Sequence, residues 1–196
     1  MTAPAFSLLS RTPIVLEGLP LSIDRDEVLR FQGYQKGVDL PSPAVVAIFE
    51  EALAQGERLM APRLVYRAAP VDERGADLIV AGGERLAIPQ IGRLWGPIDA
   101  VGAGICTVGE AIETRVRALF DAREFPLAVM LDSVGSAAAE SLAEYANDLL
   151  CQAALPQGLK VTNRVSPGYA SLSCTPIGSP GQIRKSRACS AVSQPA

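Results

Sequence analysis

A long amphipathic segment in the second half of the chain constrains the fold most. Apolar residues recur at helical spacing after Pro126, a residue that suits the first position of a helix, and the pattern continues to about Leu155. Pro156 and Gly158 follow directly and indicate where the helix ends. We therefore predict one long helix whose buried face carries Leu127, Met130, Leu131, Val134, Ala138, Leu142, Tyr145 and Leu149.

Three shorter helices are predicted before it. Asp24 has capping-box spacing with the glutamate three residues later, and Gly33 is suited to end that helix. Ser42 followed by proline predicts the start of a second, stronger helix. Thr107 and Glu110 also have capping-box spacing, so a third helix is predicted to begin there.

The remaining apolar segments have the residue pattern of β-strands. Gly82 and Gly83 separate two of these runs and predict a β-hairpin. Strands and helices do not alternate strictly enough for a doubly wound sheet, so we predict a single α+β domain with a largely antiparallel sheet. The predicted strands cover residues 14–21, 64–67, 78–80, 85–88, 98–106 and 159–163.

Composition excludes several classes of protein. The chain has 196 residues and a formal charge of −3, which gives no electrostatic reason to expect a nucleic-acid partner. No apolar run approaches the roughly 20 residues that a membrane-spanning helix needs, and residues 1–11 lack the pattern of a signal peptide. A cytoplasmic protein is the resulting expectation.

Histidine is missing from the sequence, and the cysteines are not spaced as metal ligands. Histidine-based catalytic triads and histidine ligands to zinc, haem or cobalt are therefore excluded for these residues. Cys106 and Cys151 lie in apolar segments and are predicted to be reduced core residues. No metal site is predicted.

Two glycines, Gly102 and Gly104, partly match the glycine loop of Rossmann-type methyltransferases that use S-adenosylmethionine. The dinucleotide-binding form of the motif fails, because Thr107 stands where its last glycine belongs. A buried strand with small residues packed against a neighbour is the favoured interpretation.

The predicted long helix carries a row of carboxylates, Asp132, Glu140, Glu144 and Asp148. Glu140 and Glu144 lie one turn apart on one face. Paired carboxylates can perform acid–base chemistry, but a solvated helix face also explains such a row.

A short loop, Arg164-Val-Ser-Pro-Gly-Tyr169, combines a defined turn with two useful side chains. Pro167 and Gly168 suit the central positions of a type II turn. The guanidinium of Arg164 offers a planar fork for a carboxylate or phosphate, and the ring of Tyr169 offers a face for a cation or a flat ring. The loop is a candidate ligand site, with an ordinary surface turn as the alternative.

The two ends of the chain differ from its middle. Residues 1–13 are predicted to form an N-terminal arm. Residues 170–196 are rich in Ser, Pro and Gly without periodicity, so we predict a loose and locally basic tail.

The long helix and the Arg164 loop together resemble the reactivation domain of cobalamin-dependent methionine synthase. The helix segment 128–145 is similar to a helix of that domain, and the loop resembles its Arg-x-x-Pro-Gly-Tyr motif. Further similar stretches occur at residues 21–30, 62–67 and 131–136. The resemblance covers roughly residues 15–169, and we place the domain at 14–169. It implies an α+β fold with a twisted antiparallel sheet and flanking helices.

The resemblance also implies a site for S-adenosylmethionine. Arg164 would hold the carboxylate of the methionine moiety, and Glu140 would face its ammonium group. Ser166, Gly168 and Tyr169 would line the groove. None of these residues is expected to be catalytic in itself.

The implied function is to present S-adenosylmethionine as methyl donor during reductive reactivation of a cobalamin enzyme. Cobalamin would arrive on a partner, either methionine synthase or another corrinoid protein, and a flavodoxin-like or iron–sulfur protein would supply the electron. The alternatives are a docking protein that has lost the ligand and, least favoured, a self-sufficient Rossmann-type methyltransferase.

Overall fold

The computed structural model describes residues 10–165 and 186–193. The helices are α1 (Arg25–Phe31), α2 (Pro43–Leu59), α3 (Ile91–Trp95), α4 (Ala111–Asp121) and α5 (Phe125–Ala154), with a short 3-10 turn at Leu155–Gln157. The strands are β1 (Ser10–Glu17), β2 (Arg63–Arg74), β3 (Leu78–Ala81), β4 (Glu84–Ala87), β5 (Ala100–Thr107), β6 (Lys160–Val161) and β7 (Ser186–Ser193).

The strands form a sheet in the order β4-β3-β2-β5-β7-β6, and β1 also pairs with β2. The pairs β2–β3, β3–β4, β5–β7 and β6–β7 are antiparallel. The predicted α+β class with a largely antiparallel sheet is therefore confirmed. None of the helices in the described part of the chain combines the length and apolarity that crossing a bilayer requires.

Contacts between Cα atoms divide the chain into two compact units, each assembled from separate stretches of sequence. We call the unit made of Leu16–Arg63 and Thr107–Leu142 the helical unit. The unit made of Met1–Val15, Leu64–Cys106 and Ala143–Ala196 is called the sheet unit. Helix α5 contributes its first part to the helical unit and its last part to the sheet unit.

The core of the helical unit is built on α5, as the apolar periodicity predicts. Leu131, Val134 and Leu142 are fully buried. Tyr145 and Leu149, which were predicted on the same buried face, belong to the sheet unit and are only half-buried. Glycine lets two other helices approach α5 closely. A Cβ atom on Gly56 of α2 would lie 2.6 Å from Cγ1 of Val134, and one on Gly135 would lie 3.2 Å from Cδ1 of Ile112 on α4.

Helix α1 begins where its predicted cap lies. The carboxylate of Asp24 accepts hydrogen bonds from the backbone amides of Asp26 (2.9 Å) and Glu27 (3.3 Å). The helix ends at Phe31 with Gln32 as its C-cap, and Gly33 follows with a φ of 88°. The predicted stop at Gly33 is confirmed, because a left-handed residue directly after the cap favours glycine.

Replacing Asp24 by alanine removes this cap, so we expect the free energy of unfolding to fall by about 1 kcal/mol. Urea denaturation followed by circular dichroism measures the change. Asp24→Asn is the matched control, because asparagine keeps an acceptor oxygen in place, and it should lose much less. Equal losses in both variants would contradict a capping role.

The hairpin predicted at the two glycines joins β3 to β4. Ala81 is paired with Glu84, and the intervening Gly82 and Gly83 have φ values of 57° and 80°. Two successive positive φ angles are those of a type I′ turn, which matches the twist of antiparallel strands.

The predicted helix start at Thr107 and part of the predicted loose tail are wrong. Thr107 is the last residue of β5, and its hydroxyl accepts a hydrogen bond from the amide of Gly109. Helix α4 begins only at Ala111, after Glu110, which makes no side-chain capping bond. The predicted loose tail is wrong for residues 186–193, because their backbone pairs with β5 on one side and β6 on the other. The rest of the predicted tail, residues 170–185 and 194–196, lies outside the described residues.

Candidate functional site

The backbone around Arg164 is fixed on both sides by the sheet unit. The indole nitrogen of Trp95 donates a hydrogen bond of 3.2 Å to the carbonyl oxygen of Asn163. On the other side, Val165 is buried in a core that includes Ile98 and Val101. Arg164 itself is half-buried. The backbone on either side of Arg164 is therefore held by contacts within the sheet unit.

The remaining residues of the predicted loop, Ser166, Gly168 and Tyr169, lie outside the described residues. The type II turn at Pro167 and Gly168 therefore stays a prediction, as do the proposed contacts of these residues with a ligand.

Glu140 lies in α5 within the helical unit, where it is half-buried. Glu144 and Asp148, which lie further along the same helix, are instead exposed to solvent. The row of carboxylates is thus not uniformly solvated, and Glu140 is set apart from the two that follow it. Arg164 belongs to the sheet unit, so the predicted pairing of Arg164 and Glu140 on one ligand stays a prediction.

Gly102 and Gly104 do not form a ligand-binding loop. Both lie inside β5, paired antiparallel with residues 190 and 188 of β7, and not at a turn from a strand to a helix. A Cβ atom on Gly102 would lie only 2.7 Å from the hydroxyl oxygen of Tyr66. The Rossmann-type reading of these glycines is therefore wrong, and the packing interpretation is supported, because at Gly102 the strand needs a residue without a side chain to admit a tyrosine ring.

Tyr66 is 2% exposed, and burial raises the pKa of its phenol well above the usual range. Loss of the proton would place a charge in an apolar environment, which is unfavourable. Tyr66 therefore acts as a neutral phenol that packs on β5, and not as a general base near neutral pH.

The cysteines whose side chains are described show no sign of activation. Cys106 is fully buried, as predicted, and Cys151 is half-buried; both are reduced. Burial, followed by the nearby charge of Asp148, raises the pKa of the Cys151 thiol. A thiol that resists ionisation is a poor nucleophile at neutral pH. Among the described residues, no group of three or more Cys, Asp or Glu side chains is placed to hold a metal ion.

Sequence reasoning missed two residues that shape this region. Trp95 lies in α3, a five-residue helix with no clear periodic signal, yet its indole anchors the segment before Arg164. Tyr66 was part of a predicted strand, but nothing in the sequence linked it to Gly102. Both contacts join residues distant in sequence, so no local pattern indicates them.

Comparison with known proteins shows that the fold of this chain is similar to that of a solved domain. The sequence matches no protein-family model and no curated protein at a significant level. Thirteen chains of solved structures do match. One is described as the crystal structure of the MetH reactivation domain bound to AdoHcy, with a TM-score of 0.58 and 15% sequence identity. The match covers 81% of this chain but only 65% of the other chain. This chain therefore has the fold of the MetH reactivation domain.

Proposed function

We propose that this chain binds S-adenosylmethionine and presents it as methyl donor during reductive reactivation of a cobalamin enzyme. The observation that carries the proposal is the anchored Arg164 in a chain that has the fold of the MetH reactivation domain. That solved domain is described as bound to AdoHcy, which is S-adenosylmethionine without the methyl group on its sulfur and has the same carboxylate, ammonium and adenosine groups.

The chemistry of the proposed site suits the amino-acid part of the ligand. A guanidinium at Arg164 can form a two-pronged, charge-assisted pair with a carboxylate. The carboxylate of Glu140 would meet the ammonium group, and Ser166, Gly168 and Tyr169 would complete the site. The aromatic face of Tyr169 suits either the sulfonium cation or the adenine ring.

Cobalamin would belong to the partner. These 196 residues contain no histidine, so a histidine ligand to cobalt would have to come from methionine synthase or another corrinoid protein. A flavodoxin-like or iron–sulfur protein would supply the electron. The reaction would take place in the cytoplasm. The chain would contribute the binding and orientation of the methyl donor, while the cofactor supplies the chemistry of methyl acceptance.

Isothermal titration of S-adenosylmethionine into the full chain tests the ligand. We expect saturable heat for the wild type and binding at least about tenfold weaker for Arg164→Ala, because a charge-assisted hydrogen bond contributes about 1.5–3 kcal/mol. Glu140→Gln, which removes a charge and keeps the shape, should also weaken binding.

Lys160→Ala is the matched control. Lys160 is an exposed cation on β6, four positions before Arg164, and its loss should leave the affinity unchanged. No heat with the wild type, or equal affinity in the Arg164→Ala and Lys160→Ala variants, would refute the site. If no ligand binds while the chain still retains a corrinoid protein in a pull-down, the docking alternative is correct.

A further inference from the structure

A surface groove in the helical unit lies between α1 and α2. It has a volume of about 480 Å³ and is lined by the apolar side chains Ile23, Leu29, Pro41, Val46 and Phe49. Phe49 is buried, whereas Val46 is 40% exposed.

The loop before Pro41 extends the apolar surface beyond the groove. Val38 is 72% exposed and Leu40 is 94% exposed. A hydrogen-bonded turn holds them in this position, because the carboxylate of Asp39 accepts from the amide of Gln35 (2.8 Å) and the amide of Asp39 donates to the carbonyl of Gln35 (3.0 Å). Large apolar side chains that a structured turn keeps in water are typical of an interaction surface.

The charged residues of the groove have a small negative excess. Asp24, Asp26 and Glu50 line it, and Arg25 is the cation among the lining residues. Arg25 pairs with Glu50, and its guanidinium lies 4.6 Å from the ring centre of Phe49. Lys36 pairs with Asp26 from outside the lining, through a side chain that is 80% exposed. With Lys36 counted, three carboxylates face two cations, so the groove keeps one excess negative charge.

We propose that this groove docks an amphipathic helix of a partner protein, with apolar side chains entering between α1 and α2 and basic residues meeting the carboxylates. A helix that binds in a groove inserts apolar anchors from one of its faces, and the apolar lining residues provide the surface for such anchors. The excess negative charge opposes nucleic acid and anionic bilayers, both of which attract basic surfaces. The proposal does not depend on the binding of S-adenosylmethionine.

A fluorescein-labelled peptide tests the groove. The probe is a helix-forming peptide of about 18 residues, built only from leucine and lysine, with leucine at helical spacing. We expect saturable binding to the full chain, measured by fluorescence anisotropy and weakened by added salt. Val46→Arg places a cation in the groove and should weaken binding at least about tenfold.

Val129→Arg is the matched control, because Val129 is an equally exposed valine (42%) on α5 of the same unit. This variant should bind the peptide as the wild type does, and circular dichroism should show that both variants are folded. Equal binding by the two variants, or equal binding of a peptide with glutamate in place of lysine, would overturn the proposal. So would self-association of the chain that Val46→Arg abolishes, since a second copy would then occupy the groove.

Discussion

Replacing Leu131 by alanine is expected to lower the free energy of unfolding by about 3–5 kcal/mol. Leu131 is fully buried in the core of the helical unit, so the substitution removes apolar contacts and leaves a cavity. The surroundings have little room to close around it. A Cβ atom on Gly56 would lie 3.8 Å from Cδ1 of Leu131 and 2.6 Å from Val134, which shows that the backbone of α2 already packs tightly there. Urea denaturation monitored by circular dichroism gives the loss.

Val129→Ala is the control for this substitution, because Val129 lies on the same helix and is 42% exposed. Its effect should stay within about 0.5 kcal/mol, as is usual for surface positions. A loss below about 1 kcal/mol for Leu131→Ala would show that the leucine is not in the closely packed core described above.

Replacing Gly102 by alanine is expected to cost about 1–3 kcal/mol, although alanine usually suits a strand better than glycine does. The new methyl group would lie 2.7 Å from the hydroxyl oxygen of Tyr66 and 2.9 Å from its ring carbon Cε2. Because Tyr66 is 2% exposed, its ring cannot move aside without disturbing its neighbours.

A double-mutant cycle separates this clash from other effects at Gly102. In a Tyr66→Ala background the ring is absent, so Gly102→Ala should cost far less than it does in the wild type. The free energies of unfolding of the four proteins give the coupling between the two positions. Additive effects would show that Gly102 does not serve to admit the tyrosine.

Much of the fold could be predicted from signals that involve only a few adjacent residues. The Asp24 and Ser42 caps, the Gly82–Gly83 hairpin and the start of α5 next to Pro126 each depend on a few adjacent residues, and each lies where predicted. Backbone preferences decide such features, and nearby side chains are enough to indicate them.

Features that depend on distant partners could not be predicted in this way. The pattern at Thr107 is that of a helix cap, but pairing in the sheet keeps this residue in β5. Strand β7 lacks the pattern of a strand, yet its backbone finds hydrogen-bonding partners on both sides. Strand formation depends strongly on such context, whereas capping is local.

In the candidate site, too, the sequence predicted local features but not the contacts between distant residues. The sequence singled out Arg164 for its chemistry and for its place before a predicted turn. It could not show that the indole of Trp95, 68 positions before Asn163, donates to the carbonyl of Asn163, or that Val165 enters a core. The relation between Arg164 and Glu140 also depends on contacts far apart in the chain, and it remains a prediction.

Because Trp95 donates a hydrogen bond to Asn163, its fluorescence can be used to follow this part of the protein. Trp95 is the single tryptophan of the chain, so all tryptophan emission comes from one buried indole. That indole contacts the backbone of the residue next to Arg164. The intrinsic fluorescence of the unlabelled protein therefore reports on the segment that carries the proposed ligand-binding arginine.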